Sequence, residues 1–215
     1  MHDTGEIALV NTSGNTEVLT VSAKNKLTVD LSPADQLMWK LAALYGKDSG
    51  VKNAESYATD LRWDHAFTEN TYGFLLGGWL QDKFKGFDDR WWGGAGAGYK
   101  LVNTQRNLLR AELGANYAAE YYTNSTDQQF PEGRAFAEYT HFFSTRTKFV
   151  QSLEYLLDFS ESRNYKLNSQ TALLVAINDI FSLKAGYEIY YDNAPTPADL
   201  DKTDTRLSMA LVVDY

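Results

Sequence analysis

Twelve stretches of this chain place apolar or aromatic residues at every second position with polar residues between them, and that alternation constrains the fold more than any other feature. A side-chain period of two belongs to strands, whereas an amphipathic helix repeats near 3.6. From Leu109 to Tyr121, the residues Leu109, Ala111, Leu113, Ala115, Tyr117, Ala119 and Tyr121 oppose Arg110, Glu112, Gly114, Asn116 and Glu120. The closing stretch repeats the pattern, with Leu207, Met209, Leu211, Val213 and Tyr215 on one face and Arg206, Ser208, Ala210, Val212 and Asp214 on the other. Polar turns separate the strands, among them T-S-G-N at Thr12 to Asn15, Thr68 to Asn70, and Asn178 with Asp179.

The remaining strands follow the same rule: Glu6 to Val10, Val18 to Asp30, the segment from Tyr57 to Phe67, Tyr72 to Leu80, Trp91 to Leu101, Arg134 to Phe143, Lys148 to Phe159, Leu167 to Ile177, and Phe181 to Asp192. In the Tyr72 strand, the apolar face is expected to carry Tyr72, Phe74, Leu76, Gly78 and Leu80. In the Trp91 strand, Gly94, Gly96 and Gly98 take the inward positions and leave room for bulky side chains from the opposite wall. The residues from Ser32 to Gly46 carry a second signal: Ser32 with Asp35 forms a capping box, and Leu37, Met38, Leu41, Leu44 and Tyr45 sit at helical spacing. A strand from about Leu37 to Tyr45 is favoured over that helix, because it turns Trp39, Leu41, Ala43 and Tyr45 outward and keeps the strand number even.

Composition narrows the class. The longest apolar run, Ala172 to Ile177, falls far short of the roughly 20 residues that a spanning helix needs. Aromatic residues make up 14% of the chain, with five Trp and fourteen Tyr, which suits interfacial girdles as well as carbohydrate-binding sheets. A net charge of −8 argues against a nucleic-acid partner. With no cysteine, neither disulfides nor thiolate chemistry is available. The opening M-H-D-T-G has no basic and then apolar segment, so either the chain is cytosolic or an export signal has been removed.

Connection lengths and aromatic placement point to a membrane barrel. Short turns (Thr68 to Asn70, Ser144 to Arg146, Asn178 to Asp179) alternate with longer loops (Lys83 to Asp89, Thr123 to Gly133, Asn193 to Thr203), as in barrels with short periplasmic turns and long outer loops. Outward aromatics gather at both strand ends. Tyr45, Tyr57, Trp91, Tyr121, Phe159, Tyr165 and Tyr191 lie at the long-loop end, and Trp39, Phe67, Tyr72, Tyr99, Phe143, Phe149, Phe181 and Tyr215 at the short-turn end. Leu, Val, Ile and Ala fill the band between them. The expected fold is therefore a single all-β domain over residues 1–215, a twelve-stranded antiparallel up-and-down transmembrane barrel in a bacterial outer membrane. A soluble barrel or two-sheet sandwich is the alternative.

The other strand faces carry nearly balanced charge: Lys24, Lys26, Lys40, Arg62, Lys100, Arg110, Arg134, Lys148, Lys166 and Lys184 against Asp60, Asp64, Glu112, Glu120, Glu138, Glu154, Asp158, Glu188 and Asp192. Enclosed in a barrel, these groups either satisfy one another and fill the lumen or line a small-solute passage. No metal or cofactor is expected. The W-W-G-G-A-G-A-G-Y stretch lacks the G-x-G-x-x-G spacing of a dinucleotide loop. The acidic sets Asp82, Asp88 and Asp89, or Asp199, Asp201 and Asp204, lack the spacing of a calcium loop. A membrane hydrolase would need a histidine beside a serine, and of His2, His65 and His141 only His141 has a suggestive neighbour, Ser144, whose parity is opposite.

Several stretches carry a family likeness: T-S-G-N-T (Thr12 to Thr16), D-K-F-K-G-F-D-D-R-W-W-G-G-A-G-A-G-Y (Asp82 to Tyr99), and Y-Y-D-N-A-P-T-P with K-T-D (Tyr190 to Pro197, Lys202 to Asp204). Through them the chain resembles the salt-induced outer-membrane proteins of the YdiY-like family. The end of the chain, aromatic with apolar residues two and four positions before it, is similar to the C-terminal signal of bacterial outer-membrane barrels. The resemblance implies an outer-membrane, stress-associated protein with lipid and lipopolysaccharide around it. It also implies assembly by the barrel-assembly machinery through residues 205–215, and it supplies no activity.

Overall fold

A computed structural model describes residues 1–13, 18–48, 51–82, 87–122, 125–196, 198 and 200–214. All of its regular elements are strands: β1 His2–Ser13, β2 Val18–Asp30, β3 Asp35–Asp48, β4 Val51–Ala66, β5 Thr71–Asp82, β6 Phe87–Asn103, β7 Asn107–Tyr122, β8 Gln128–Phe142, β9 Thr147–Asp158, β10 Tyr165–Ala176, β11 Phe181–Asp192 and β12 Thr203–Asp214. Each pairs antiparallel with its sequence neighbours, and β1 pairs with β12, so the sheet closes into a barrel with no free edge. At the closing seam Ile7 lies opposite Leu211 and Leu9 opposite Met209.

The alternation sorts side chains as a membrane barrel requires. Ile7, Leu9, Leu61, Leu113, Leu183, Leu207 and Met209 stand exposed on the outer surface, Leu113 and Met209 the most, at 72% each. On the opposite parity Ala8, Glu112, Ala118, Glu188, Ala210 and Val212 are buried inside. A soluble sandwich would reverse this arrangement.

The helical signal between Ser32 and Gly46 gives way to β3, whose Trp39, Leu41 and Tyr45 are exposed outside. The capping-box residues are used in a turn instead. Ser32 Oγ accepts from the backbone amides of Ala34 and Asp35 and donates to Asp35 Oδ2 at 2.6 Å. The other short turns are built alike. Thr68 Oγ1 accepts from the amides of Asn70 and Thr71, Thr104 Oγ1 from Asn107, Ser144 Oγ from Arg146, and Asn178 Oδ1 from Ile180 and Phe181. A short side-chain acceptor satisfies amides in a turn as it does at a helix start, so the local motif alone does not separate the two.

One strand is inverted relative to the sequence reading. Tyr72 and Phe74 face the lumen and are 7% and 3% exposed, while Leu75 on the other parity is exposed outside. The reason lies on β6. Tyr72 is paired with Gly98, Phe74 with Gly96 and Leu76 with Gly94, and a Cβ on Gly98 or Gly96 would stand 2.2 Å from Tyr72 Cζ or 2.3 Å from Phe74 Cζ. The glycines make room for side chains of the adjacent strand, not of the opposite wall. Tyr72 therefore leaves the aromatic girdle. Tyr215, expected in that girdle, lies outside the described residues, as do Gly14, Asn15 and Asp199.

The other girdle residues sit on the outer parity. Trp39, Tyr45, Tyr57, Phe67, Trp91, Tyr99, Tyr121, Phe143, Phe159 and Phe181 are exposed there. Phe149 is half-buried beside Leu173, and Tyr165 lies between Tyr155 and Tyr191 with ring centroids 5.7 and 5.9 Å apart.

Candidate functional site in the barrel lumen

The lumen is organised around buried carboxylates. The Glu112 side chain on β7 is 0% exposed and accepts from Arg62 Nη1 and Nη2 at 3.0 and 2.8 Å, from Arg134 Nη1 at 2.8 Å and from the Tyr72 hydroxyl at 2.8 Å. Arg110 Nη1 approaches it to 3.5 Å. Each guanidinium also has a second acceptor: Arg62 pairs with Asp64, Arg134 with Glu154 and Arg110 with Glu138, at 2.8, 2.7 and 3.0 Å. Phe74 and Phe136 brace the planes, with Arg62 Cζ 4.4 Å from the Phe74 ring centre and Arg134 Cζ 4.8 Å from that of Phe136. A buried carboxylate surrounded by fork-shaped donors and ring faces loses little by leaving water, because every lone pair is used.

A second hub lies toward the long loops. Glu120 accepts from Lys166 at 2.8 Å and from the Tyr122 hydroxyl at 2.5 Å, and Arg90 bridges Glu120 and Glu132 at 3.3 and 2.7 Å. Lys166 also reaches Asp192 at 3.7 Å. In a third hub Glu188 takes Lys24 at 3.0 Å, Gln170 at 2.6 Å, Tyr190 at 3.0 Å and Arg206 at 3.5 Å, while Lys184 pairs with Glu6 at 2.7 Å. Arg90, Glu132, Arg206 and Glu6 complete these networks and are absent from the sequence-derived set.

Other expected lumen groups behave differently. Asp158 is buried, but it accepts from the amides of Ser160 and Glu161 and from Asn164 Nδ2, so it anchors the loop after β9 and does not pair with a lumen cation. Lys100 shares the lumen face with Arg110, its directly opposed partner, and is exposed near the short-turn end. Lys26, Lys40, Lys148 and Asp60 have no ion pair among the described residues.

Space remains beside the paired groups. One cavity of about 450 Å³ is bordered by Arg62, Arg110, Arg134, Glu138, Glu154 and Asp192 among others, and a second of about 620 Å³ by Lys24, Lys26, Lys148, Lys184, Glu188 and Arg206 among others. Lys40, Asp60 and Leu80 on β3 to β5 and Gln170 and Tyr190 on β10 and β11 border both, so the two volumes are neighbours inside the barrel. Each far exceeds the roughly 10–15 Å³ needed for a water, and the polar lining makes them wet.

His2, on the lumen parity of β1, lies at the barrel end with its Nε2 3.2 Å from Thr4 Oγ1, whereas His65 and His141 face away from this space. His65 Nδ1 lies 2.8 Å from Asp35 Oδ1, with its ring between a tilted Trp63 and an edge-on Phe67. His141 Nδ1 lies 2.8 Å from Asn107 Oδ1, between Tyr139 and Phe143. Ser144 Oγ is engaged by the amide of Arg146, and among the described residues no histidine hydrogen-bonds to a serine.

The family model described as "Protein of unknown function, DUF481" matches residues 5–215. The chain belongs to DUF481. Within the curated proteins this DUF481 member is similar to the uncharacterized protein YdiY of Escherichia coli (strain K12), at 27% identity over 199 residues, which cover 93% of this chain and 77% of YdiY. Its barrel is similar to that of the NanC porin, with a TM-score of 0.68, 5% identity, and coverage of 97% of this chain and 98% of that one. It is also similar to the COG4313 outer membrane channel from Pseudomonas putida F1, with a TM-score of 0.65, 10% identity, and coverage of 100% and 95%. Those likenesses establish the fold of the DUF481 chain, a barrel of the outer-membrane type.

Proposed function

We propose that this protein works in the bacterial outer membrane as a narrow, water-filled passage for small hydrophilic solutes, and that it carries out no chemistry on them. The observation that supports this reading is the state of Lys26, Lys40 and Lys148. All three project to the lumen side of the wall, border the larger cavity and are nevertheless solvent-exposed. A plugged barrel would bury or pair such ammonium groups, because an isolated buried charge is costly. The arginine–carboxylate hubs then act as fixed lining that narrows the bore without filling it. Its neighbours in this reading are bilayer lipid and lipopolysaccharide around the outward leucines and aromatics, with residues 205–215 presented to the barrel-assembly machinery. The stress association implied by the family likeness belongs to the same proposal.

Single-channel recording of the purified chain in planar bilayers tests it. Discrete conductance steps are expected, smaller than those of wide porins. A sealed bilayer at all voltages, from protein that shows the heat-dependent gel mobility of a folded barrel, overturns the passage.

A further inference from the structure

We infer that the lumen contains an anion site in which Lys26, Lys40 and Lys148 take the carboxylate or phosphate group of a small solute. Where solute flux is concerned, the inference rests on the passage proposed above; the binding site itself does not need it.

Three observations carry it. Lys26 on β2 and Lys40 on β3 are directly opposed in register, an arrangement of like charges that destabilises a sheet unless something compensates it. Three nearby carboxylates are engaged elsewhere, and a fourth, Asp60, faces Lys40 without reaching ion-pair distance. Glu138 is held by Arg110 at 3.0 Å, Glu6 by Lys184 at 2.7 Å and Glu188 by Lys24 at 3.0 Å. Finally, Lys148 on β9 borders the same cavity as Lys26 and Lys40, so three ammonium groups share one space.

The larger cavity beside these groups shows the same excess. Among the described residues six lysine or arginine side chains border it against four carboxylates, although the chain as a whole is at −8. A positive, wet recess in an acidic protein concentrates anions, and Lys40 at its edge borders the second cavity as well. Three ammonium groups on flexible stems suit a compact oxyanion as point charges and impose no planar bidentate geometry. The lumen arginines, which would impose it, already hold protein carboxylates.

The test uses the full chain. In phosphatidylcholine bilayers under a KCl gradient, the wild type should show a reversal potential favouring chloride. In the Lys26→Gln, Lys40→Gln, Lys148→Gln triple variant that preference should fall roughly five-fold, about the weight of one contact between unit charges in water. The single Lys40→Gln variant should fall partway, which keeps the test valid if the triple variant does not fold. Cation preference in the wild type, or unchanged selectivity in the variants, overturns the site. Calorimetry with inorganic pyrophosphate in detergent micelles separates this from the passage itself. A barrel that conducts nothing but binds pyrophosphate, and loses that binding in Lys40→Gln, removes the passage and keeps the site. Absence of binding by the wild type removes the site.

Discussion

The two sides of the lumen solve the same problem in opposite ways. Around Glu112, between β4 and β8, charge is enclosed and paired: Glu112 gathers Arg62, Arg134, Arg110 and Tyr72, and each arginine has another carboxylate. On the side where β2 and β3 meet, charge is left open to water, with Lys26 opposite Lys40 and no carboxylate committed to either. Burial explains the difference. A carboxylate at 0% exposure cannot persist without partners, whereas an ammonium facing water can. The paired side should therefore govern stability, and the open side should govern what the lumen attracts.

Removing the hub gives the largest expected effect. Glu112→Gln keeps the shape but leaves Arg62, Arg134 and Arg110 with excess buried charge, so the barrel should lose about 3–5 kcal/mol in urea unfolding in micelles. A loss below about 1 kcal/mol would mean that water reaches this side as well and would erase the contrast. The same change at Glu188 should cost less, about 2 kcal/mol, because its partner Lys24 is more exposed, at 28%, than Arg62 and Arg134, the two arginines closest to Glu112, at 13% and 9%. Equal costs at the two positions would mean that burial does not set the ranking. Tyr72→Phe removes one donor of several to Glu112 and should cost about 1 kcal/mol, with the ring still seated over Gly98.

How far this division could be read from sequence depends on the strand. On β7 one parity is apolar and the other polar, so Arg110, Glu112 and Glu120 declare themselves as inward. β5 has large apolar residues on both parities, Tyr72, Phe74 and Leu76 against Leu75 and Trp79, and periodicity carries no orientation there. The information lies on the next strand, where Gly94, Gly96 and Gly98 leave a groove that only an adjacent residue of the same face can occupy. Arg90 was legible by the same logic, since an outward Trp91 turns both its neighbours inward. Glu132 was not. Pro131 and Gly133 flank it and read as loop, yet β8 starts at Gln128, with Pro131 paired to Tyr117 and its carbonyl accepting from the amide of Phe159. Which lysines find a carboxylate is a matter of reach across the lumen, and no local pattern records it.

The smallest expected effect has the opposite sign and bears most directly on the open side. Lys26→Gln removes a like-charge opposition without stranding any carboxylate, because none is committed to Lys26. It should stabilise the barrel by about 0.2–1 kcal/mol at low salt. The gain should shrink as salt rises, since exposed charges are screened over a Debye length of about 10 Å at 0.1 M. Added pyrophosphate should shrink it too, because an anion held between Lys26 and Lys40 supplies the compensation that the fold omits. Urea midpoints of wild type and variant, measured with and without pyrophosphate, check both. If Lys26→Gln destabilises the barrel at every salt concentration, then Lys26 is paired in solution, and the two sides of the lumen do not differ in kind.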